Sequence, residues 1–282
     1  MKHINSTPTT LGHMSFLRWA GSKRQIIPKL HRYWCKAFER YIEPFAGSAS
    51  LFFTIQPKSA ILGDLNADLI ETLRVVKSSP SHLSILLRSL RRGKRAYYAI
   101  RQQNPRSLLP VERAARFIYL NRFCFNGLYR TNRSGQFNVP YGGDRTGELP
   151  SLKILQQCSE LLASASLMNC DFENLLRQAR KGDFVYMDPP YSIKARRVFT
   201  EYNAHNFDTK DLSRLRDWMI LLAEKKISFV VSYAESEEAN FLRKGFHTQI
   251  AFVRRNIAGF TQSRTRSKEL IISNLGPRDL PE

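Results

Sequence analysis

Short apolar runs alternate with amphipathic segments along most of the chain, which is typical of an α/β protein with a buried sheet. Apolar runs of strand length predict strands at residues 41–43, 60–64, 167–170, 183–187 and 227–232, with a closing antiparallel pair at 246–253 and 269–273. Apolar positions at helical spacing predict helices at 26–34, after a cap at Asn66, in the first half of 117–132, at 173–180, after a cap at Asp208, and around Phe241.

The run at 183–187 ends in Asp188-Pro189-Pro190-Tyr191. Two successive prolines cannot continue a strand ladder, so an acid and an aromatic ring are left at the carboxyl edge of the sheet, where open α/β sheets bind ligands. Asp188 and the carbonyl of Pro189 can each accept a hydrogen bond from the exocyclic amino group of a base, and Tyr191 can stack on that base. The tetrapeptide alone favours this chemistry no more than a plain strand end with a proline turn.

Small residues follow the first predicted strand, and a helix follows them. Gly47 and Ala49 in this turn are small enough to let a ligand approach the backbone closely. The outline is that of a nucleotide-binding βα turn, although the GxGxxG spacing is absent. Asp64 ends the second strand about 20 residues past the turn, where such folds place an acid that binds a ribose. A helix cap is the alternative role for Asp64.

An aromatic ring and a cation flank an earlier predicted turn at Gly21-Ser22, which precedes the first helix. Trp19 and Lys23 should therefore lie close together, a flat ring beside a positive charge. The alternative is a core tryptophan and a solvated lysine, and this pattern alone favours that alternative.

The charge of the chain predicts a polyanionic partner. Its 282 residues carry a formal net charge of +20, most simply explained by nucleic-acid binding. No acidic residue lies between Glu71 and Glu112, where arginine is frequent, and a second basic stretch at 254–268 is a further candidate for phosphate contact. An anionic membrane surface is the competing partner, but no stretch has the length and apolarity of a membrane span.

Cysteine and histidine usage predicts a cytoplasmic protein without a metal site. The four cysteines and six histidines show no metal-ligand spacing, and the cysteines are expected to be reduced and mostly buried. The first 13 residues are polar and lack the apolar core of a signal peptide. The length and the 43% content of hydrophobic residues allow a large core, in one domain or two.

Aromatic, asparagine and arginine side chains are concentrated at residues 117–132. The predicted helix there should break at Asn126-Gly127, and further turns surround a short predicted strand at 137–139. Such a turn-rich segment suits insertion into DNA. Arg130 could read a guanine edge in the major groove, and Phe125 could fill space in the base stack.

Taken together and in this order, these segments resemble the Dam family of adenine-N6 DNA methyltransferases. Each motif is weak alone, but the ordered set is highly specific and spans roughly residues 16–275. The matching pieces are Arg18-Trp19-Ala20-Gly21-Ser22-Lys23, Glu43-Pro44-Phe45-Ala46-Gly47, Asp64-Leu65-Asn66, Tyr119-Leu120-Asn121-Arg122 with Phe125-Asn126-Gly127-Leu128, Phe137-Asn138-Val139-Pro140, Asp188-Pro189-Pro190-Tyr191 and Glu269-Leu270-Ile271-Ile272-Ser273-Asn274.

The resemblance implies a Rossmann-like, doubly wound methyltransferase sheet formed by residues 14–76 and 161–276, with an inserted helical DNA-recognition domain at 77–160. It implies S-adenosyl-L-methionine as methyl donor and double-stranded DNA as substrate, with no membrane and no obligate protein partner. The implied cofactor-binding residues are Trp19, Lys23, Phe45, Gly47, Asp64, Phe172 and Asp188. The implied catalytic residues are Asp188, Pro189, Pro190 and Tyr191. The implied DNA-binding residues are Arg18 (the first-base contact), Arg122, Phe125, Asn126, Leu128 and Arg130 (the recognition arginine).

The chain departs from the family pattern at a few positions. Ser22 and Ala49 stand where the family usually has glycine, and both are small enough to be tolerated. Residues 141–145 do not follow the family's recognition hairpin, which bears on the target sequence more than on the activity. The resemblance implies N6 methylation of a flipped-out adenine, often within GATC. A cytosine-N4 DNA methyltransferase and a non-catalytic DNA-binding protein with a degenerate methyltransferase fold are the alternatives.

Overall fold

The computed structural model describes residues 15–19, 23–132, 134–143, 146–191, 207–256 and 264–276, without the side chains of 254–256 and 264–266. The predicted turn at Gly21-Ser22 lies outside the described residues. So do Asp144 and Arg145, at the end of the segment that does not follow the family's recognition hairpin. The arginine side chains of the second basic stretch lie outside them as well.

The described ranges contain strands β1 (Arg40–Glu43), β2 (Ala60–Asp64), β3 (Ala165–Asn169), β4 (Asp183–Met187), β5 (Ser228–Ala234), β6 (His247–Asn256) and β7 (Arg264–Ser273). They contain helices α1 (Ile27–His31), α2 (Ser50–Ile55), α3 (Ala67–Ser78), α4 (Pro80–Ser89), α5 (Lys94–Gln102), α6 (Pro110–Phe123), α7 (Leu152–Leu162), α8 (Phe172–Leu176), α9 (Thr209–Glu224) and α10 (Glu237–Leu242), and single 3₁₀ turns at Pro105–Ser107 and Phe125–Gly127.

The strands form one sheet in the order β3-β2-β1-β4-β5-β7-β6. The first five are parallel, whereas β7 runs antiparallel to both β5 and β6. The order 3-2-1-4-5 is that of a doubly wound Rossmann sheet, whose winding reverses between β1 and β4. Ligands bind at such a switch point, outside the carboxyl ends of the strands. The predicted α/β fold class is confirmed, and the topology marks the ends of β1 and β4 as the expected site.

Apolar side chains cover both faces of the central strands, as expected where parallel strands are buried on both sides. One face, including Phe184, packs against α2, α3, α6 and α7. The other face, including Val185, packs against α8, α9 and α10. An ion pair ties β1 to the amino end of β4, because Arg40 donates to both carboxylate oxygens of the buried Asp183 at 3.2 and 2.7 Å.

Helices α4 to α7 occupy most of residues 77–160. Helix α6 packs on α3, α4 and α5, while α7 packs on α3 and α4. A separate small core joins α5 and α6 to the segment that follows them, through Tyr97, Tyr119, Phe123 and Val139. Helix α7 continues past residue 160 to Leu162. The helical segment therefore shares a continuous core with one face of the sheet.

Most predicted elements are confirmed, with shifts at their ends. The strands at 60–64 and 183–187 have the predicted bounds as β2 and β4. Asp208 caps α9 by accepting hydrogen bonds from the backbone of Lys210 and Asp211. The helix predicted at 173–180 is shorter, since α8 ends at Leu176.

The short strand predicted at 137–139 is wrong. Within these three residues only Phe137 forms a β-bridge, to Thr131. The carbonyl of Val139 accepts a hydrogen bond from the Tyr97 hydroxyl at 2.9 Å instead of a neighbouring strand. Pro140 follows and has no N–H to continue a ladder. Tertiary contact with α5 therefore replaces strand pairing here.

The environment of the cysteines agrees in part with the prediction of mostly buried thiols. All four are free thiols, with Cys124 and Cys158 buried and Cys35 and Cys170 half-buried. Among the described helices, none is both long and apolar enough to cross a bilayer.

Candidate active site

Asp188 follows the last residue of β4, at the carboxyl edge of the sheet beside the switch point. Its Oδ1 atom lies 3.0 Å from the ammonium of Lys23 and accepts a hydrogen bond from the Ser232 hydroxyl, also at 3.0 Å. Ser232 belongs to β5, the neighbouring strand. The Asp188 side chain remains 23% exposed, so a carboxylate held by two donors is still accessible to a ligand.

Lys23 connects Asp188 to two further groups. Its ammonium lies 2.8 Å from Oε1 of Glu269 and donates to the Tyr191 hydroxyl at 2.6 Å. The Tyr191 hydroxyl in turn donates to Glu269 Oε1 at 3.0 Å. Glu269 is 2% exposed and lies on β7. The antiparallel edge of the sheet thus contributes a buried carboxylate to the site.

Burial and charge act in opposite directions on these groups. Burial alone would lower the pKa of Lys23, but Asp188, Tyr191 and Glu269 raise it above its ordinary value. Burial raises the pKa of Asp188, and the Lys23 ammonium offsets part of that rise. Burial also raises the pKa of Tyr191 to about 12, so its hydroxyl stays protonated at neutral pH. The site therefore holds a fixed cation that favours the ionised form of Asp188.

The rest of the tetrapeptide lies at the rim of the site. Pro189 is buried and Pro190 is exposed. The Tyr191 ring packs edge-on against Tyr233, with centroids 5.3 Å apart, and 36% of the residue remains exposed. Tyr191 is thus both anchored through its hydroxyl and accessible at its ring.

A second carboxylate, Glu43, ends β1 close to the site. It is 2% exposed and accepts a hydrogen bond from the Tyr41 hydroxyl at 3.0 Å. Burial raises the pKa of Glu43 well above its ordinary value. The hydrogen bond from Tyr41 opposes this rise, while the charges of Asp188 and Asp64 add to it. Glu43 therefore favours its neutral form.

One carboxylate ties the turn after β1 to the end of β2. Asp64 accepts hydrogen bonds from the backbone N–H of Gly47, at 3.0 Å to Oδ2, and of Asn66, at 2.9 Å to Oδ1. The cap of α3 is Asn66, whose side chain accepts from Leu69 N–H, so Asp64 is not the helix cap. Each oxygen of Asp64 has a second lone pair and can accept a further hydroxyl.

Gly47 lies in the left-handed region, with φ of +48°, where glycine is favoured. A Cβ added there would lie 2.9 Å from Nε1 of Trp19, so the loop and the indole are in direct contact. Trp19 also stacks on Tyr129 and Phe117, with centroids 6.1 and 6.4 Å away. Trp19 therefore links the loop after β1 to α6 and the segment that follows it.

Ala49, the second departure from glycine, also has a left-handed backbone, with φ of 48° and ψ of 35°. It stands at the N-cap position of α2, where its side chain cannot cap the helix. A non-glycine residue in this conformation costs about 1–2 kcal/mol. The small side chain is therefore accommodated, but with backbone strain at the loop.

Two aromatic rings form an apolar wall beside this loop. The centroids of Phe45 and Phe172 lie 5.3 Å apart. The Arg214 guanidinium lies 4.7 Å from the centroid of Phe172 and pairs with the carboxylates of Asp171 and Glu173 at 2.6 and 2.9 Å. Phe172 is thus held between an aromatic ring and a cation that three carboxylates restrain.

Asn121, a buried residue of α6, holds the backbone of Arg18. Its Oδ1 accepts from Arg18 N–H at 2.8 Å, and its Nδ2 donates to the Arg18 carbonyl. Burial and the charge of Arg18 lower the pKa of Arg24. Burial and the charges of Arg18 and Arg24 lower the pKa of Arg122. Three guanidinium groups are therefore gathered where the chain before α1 meets the end of α6.

The chain turns sharply after α6, at the predicted break. Asn126 and Gly127 have φ values of +55° and +65°. A Cβ added at Gly127 would lie 2.7 Å from the Cβ of Arg18, so glycine permits this close approach. The turn leaves Phe125 37% exposed, while Leu128 is half-buried. Phe125 is thus an accessible aromatic ring on the turn that contacts Arg18.

A narrow loop carries Arg130. The backbone N–H of Asn138 donates to the Arg130 carbonyl at 3.0 Å, and Nε of Arg130 donates to Oδ1 of Asn138 at 2.7 Å. The Asn132 side chain closes the tip by accepting from the backbone N–H groups of Ser134 and Gln136. Arg130 is therefore oriented by a neighbouring side chain on the same loop.

Several residues at these sites were not predicted as site residues: Arg24, Glu43, Asn121, Tyr186, Ser232 and Glu269. Glu269 gave a signal, because it is an acid next to a basic stretch and begins a matching piece of the resemblance. Ser232 and Tyr186 gave none, since a single polar residue within an apolar strand is common. The pairing of β4 with β5 brings the Tyr186 hydroxyl to hydrogen-bond distance of the Ser232 hydroxyl, which donates to Asp188.

Comparison with known proteins gives an independent finding. Residues 19–256 match the family model of the D12 class of N6 adenine-specific DNA methyltransferases. The chain is 34% identical over 270 residues to the type II methyltransferase M1.LlaDCHI of Lactococcus lactis subsp. cremoris, covering 93% of this chain and 95% of the relative. It is 32% identical over 268 residues to the DNA adenine methylase of Haemophilus influenzae, covering 93% of each. It is 29% identical over 263 residues to the DNA adenine methylase of Escherichia coli K12, covering 91% of this chain and 94% of the relative.

Proposed function

The chain belongs to the D12 class of N6 adenine-specific DNA methyltransferases, and we propose that it transfers a methyl group from S-adenosylmethionine to N6 of a flipped-out adenine in double-stranded DNA, within GATC. The adenine-specific activity follows from the family. The proposed transfer to N6 of a flipped-out adenine rests chiefly on the position of Asp188. This accessible carboxylate is held by Lys23 and Ser232 at the switch point of the sheet.

The residues around the loop after β1 fit the proposed cofactor. Asp64 can accept two ribose hydroxyls in addition to its two backbone donors. Phe45 and Phe172 offer an apolar wall for an adenine ring. Gly47 lets the backbone approach a ligand closely, and Trp19 lies against it. Trp19, Phe45, Gly47, Asp64 and Phe172 would therefore hold the cofactor.

When bound, the cofactor supplies a methyl group activated by a sulfonium sulfur. Asp188 accepts one hydrogen bond from the N6 amino group of the target adenine, and the carbonyl of Pro189 accepts the other. These two acceptors stabilise the positive charge that develops on the nitrogen in the transition state. The amino proton becomes acidic as the new bond forms, so Asp188 need not be a strong base. The Lys23 ammonium lowers the pKa of this carboxylate against the effect of burial and so favours its ionised form.

The target adenine must leave the base stack, because its amino nitrogen is inaccessible inside a duplex. Tyr191 provides an exposed ring at the rim of the site on which the extruded base can stack. Phe125 is exposed on the turn after α6 and can fill the space that the base leaves. Asn126 lies in that turn, Leu128 follows it, and both contact the duplex beside it.

The proposed DNA-binding surface lies on the helical segment and the chain before α1. Arg18 and Arg122 belong to a cluster of three guanidinium groups, which suits contact with bases and phosphates. Arg130 is presented on its loop for a guanine edge. Exposed basic residues continue along α4, α5 and the connection between these helices: Arg88, Arg91, Arg92, Lys94 and Arg95. We assign residues 77–160 to DNA recognition on this basis.

The experiment that tests the proposal is methylation of plasmid DNA grown without adenine methylation, using purified protein and S-adenosylmethionine, mapped base by base. N6-methyladenine confined to GATC is the expected result. N6-methyladenine at another sequence would keep the chemistry and refute the target. DNA binding without methylation would refute the enzyme.

A matched pair of variants tests the role of Asp188. Asp188→Ala should abolish turnover while leaving DNA affinity largely intact. Asp217→Ala removes an exposed carboxylate from α9 and should keep wild-type turnover. Retention of most of the rate by Asp188→Ala would refute the assigned role.

Binding of the cofactor is tested separately, by titration calorimetry without DNA. Asp64→Asn removes a charged acceptor, and the loss of a hydrogen bond to a charged group, about 1.5–3 kcal/mol, predicts an affinity about ten- to a hundredfold weaker. Glu235→Gln, at an exposed ion pair with Lys268, serves as the control and should bind normally. Equal affinities for both variants would contradict the ribose role of Asp64.

A further inference from the structure

Tyr186, Ser232 and Asp188 form a line of hydrogen bonds that runs from the buried sheet to its carboxyl edge. The hydroxyls of Tyr186 and Ser232 lie 2.9 Å apart, and Ser232 donates to Oδ1 of Asp188 at 3.0 Å. Ser232 is fully buried and Tyr186 is 2% exposed. The pairing of β4 with β5 fixes this arrangement, because Met187 lies opposite Val231. The next residues along the chain are Asp188, just past the end of β4, and Ser232, within β5.

The carboxylate sets the direction of the line. An ionised carboxylate only accepts hydrogen bonds, so Ser232 donates to Asp188, and its oxygen can then accept from Tyr186. The Tyr186 hydroxyl stays protonated, because burial and the charge of Asp188 raise its pKa well above the ordinary value. The Tyr186 hydroxyl therefore donates to Ser232, and the Ser232 hydroxyl donates to Asp188.

The two side-chain donors to Asp188 in the described part of the chain converge on one oxygen. Lys23 and Ser232 each lie 3.0 Å from Oδ1. The described residues provide no donor to Oδ2. Lys23 is also held by Glu269 at 2.8 Å, so its position does not depend on Asp188 alone. The carboxylate group is thereby fixed in rotation, with Oδ1 occupied and Oδ2 without a donor from the described part of the chain.

We propose that Ser232, supported by Tyr186, is a positioning residue that keeps Oδ1 of Asp188 occupied and so reserves Oδ2 for the amino group of the target adenine. This assignment rests on the proposed function, since the amino group is that of the proposed substrate. Without the Ser232 hydroxyl, the carboxylate can rotate and place both oxygens near Lys23. A misaligned acceptor slows the reaction even when the substrate still binds.

The same hydrogen bond influences the protonation of Asp188. Among the described residues, the titratable groups that face this carboxylate are Lys23, Tyr191, Tyr186 on β4, Glu269 on β7, and Tyr41 and Glu43 on β1. Burial raises the pKa of Asp188, whereas Lys23 and Ser232 lower it. Loss of the Ser232 hydroxyl removes a bond to the charged form and raises this pKa further. The acid limb of the kcat profile then moves to higher pH, because the ionised form is the active one.

The test compares kcat and KM for DNA across pH in Ser232→Ala and Tyr186→Phe, which each remove one hydroxyl without adding volume. For Ser232→Ala we expect kcat to fall about tenfold with KM almost unchanged. We also expect the acid limb of its kcat profile to move about one pH unit higher. Tyr186→Phe should shift both quantities in the same direction by less. Ser232→Thr retains a hydroxyl and should keep the wild-type acid limb.

Ser273→Ala is the matched control. Ser273 is a fully buried serine on β7 whose hydroxyl donates to the Phe229 carbonyl at 2.6 Å, so its loss affects stability without touching Asp188. If Ser232→Ala and Tyr186→Phe lose only stability, as Ser273→Ala does, and keep the wild-type acid limb, the assignment is wrong. If Ser232→Ala does not fold, the kcat and the acid limb of Tyr186→Phe decide whether the assignment is correct. If the wild-type protein does not methylate DNA, both the proposed function and this assignment are wrong. If the wild-type protein methylates DNA but the acid limb of the variants does not shift, only the assignment is wrong.

Discussion

The side-chain amide of Asn121 pairs with both backbone groups of Arg18, across 103 positions of the chain. A buried residue of α6 thereby fixes the backbone next to Trp19, whose indole touches the loop at Gly47. The helical segment and the loop after β1 are thus joined through one short stretch of chain. This connection explains how the proposed DNA-binding surface and the proposed cofactor loop can be held in a fixed relation.

Replacing Asn121 with Ala should destabilise the protein by about 1–3 kcal/mol, because the N–H and the carbonyl of Arg18 lose their partners. DNA affinity should fall as well, since Arg18 is no longer oriented. Urea unfolding and fluorescence anisotropy with a GATC duplex measure the two effects. Asn240→Ala, at an exposed position on α10, is the control and should change neither. If Asn121→Ala is as stable as the wild-type protein, the hydrogen bonds between Asn121 and Arg18 do not stabilise the fold as we infer.

Lys23→Met should cost about 3–5 kcal/mol in the free energy of unfolding, because it leaves the buried carboxylate of Glu269 and the partly exposed one of Asp188 without their cation. Adding Glu269→Gln should restore part of that loss, since Glu269 is 2% exposed and pairs with Lys23 at 2.8 Å. Urea unfolding of both single variants and the double variant at pH 7 measures this coupling. Additive effects of the two substitutions would show that the residues do not interact energetically.

Glu43 should make stability fall as pH rises above the acid range. Its pKa in the folded state is raised by burial, so the folded protein binds this proton more tightly than the unfolded chain does. The stabilisation is fully present below the unfolded pKa, about 4.3, and is lost as pH rises through the folded pKa.

Glu43→Gln removes this dependence while an amide oxygen can still accept from Tyr41. The Tm of the variant should therefore match the wild type near pH 4 and exceed it increasingly towards neutral pH. Thermal melts followed by circular dichroism from pH 4 to pH 8 provide the measurement. Parallel curves for the two proteins would mean that Glu43 does not titrate differently on folding.

Arg24→Gln should weaken DNA binding and reduce its dependence on salt. Arg24 lies with Arg18 and Arg122, and its Nε is buried without a hydrogen-bond partner among the described residues. If Arg24 neutralises one phosphate, the slope of log K against log salt should fall in magnitude by about 0.9. Arg180→Gln, in an exposed pair with Glu39 near the amino end of β4, is the control and should keep the wild-type slope.

The order of helices and strands could be predicted from the sequence because local periodicity depends on which side chains face a core. The bounds of β2 and β4 follow directly from their apolar runs. The position of Asp188 also follows, since two prolines must end the strand after it. Charge and the ordered motifs indicated DNA as the partner. These properties depend only on neighbouring residues or on the chain as a whole.

The geometry around Asp188 depended on tertiary structure. The tertiary fold brings Lys23, Ser232 and Glu269 together from three distant parts of the chain, and no spacing in the sequence predicts these contacts. Pairing between β4 and β5 also decides which hydroxyl lies behind the carboxylate.

Tertiary structure also decided the conformation of residues 137–139. The Tyr97 hydroxyl donates to the Val139 carbonyl, which would otherwise accept from a neighbouring strand. Sequence patterns determine which residues are buried, because burial follows apolar periodicity. The partners of buried polar groups are decided by long-range packing, because a desolvated donor or charge must pair with whatever group the fold places within reach.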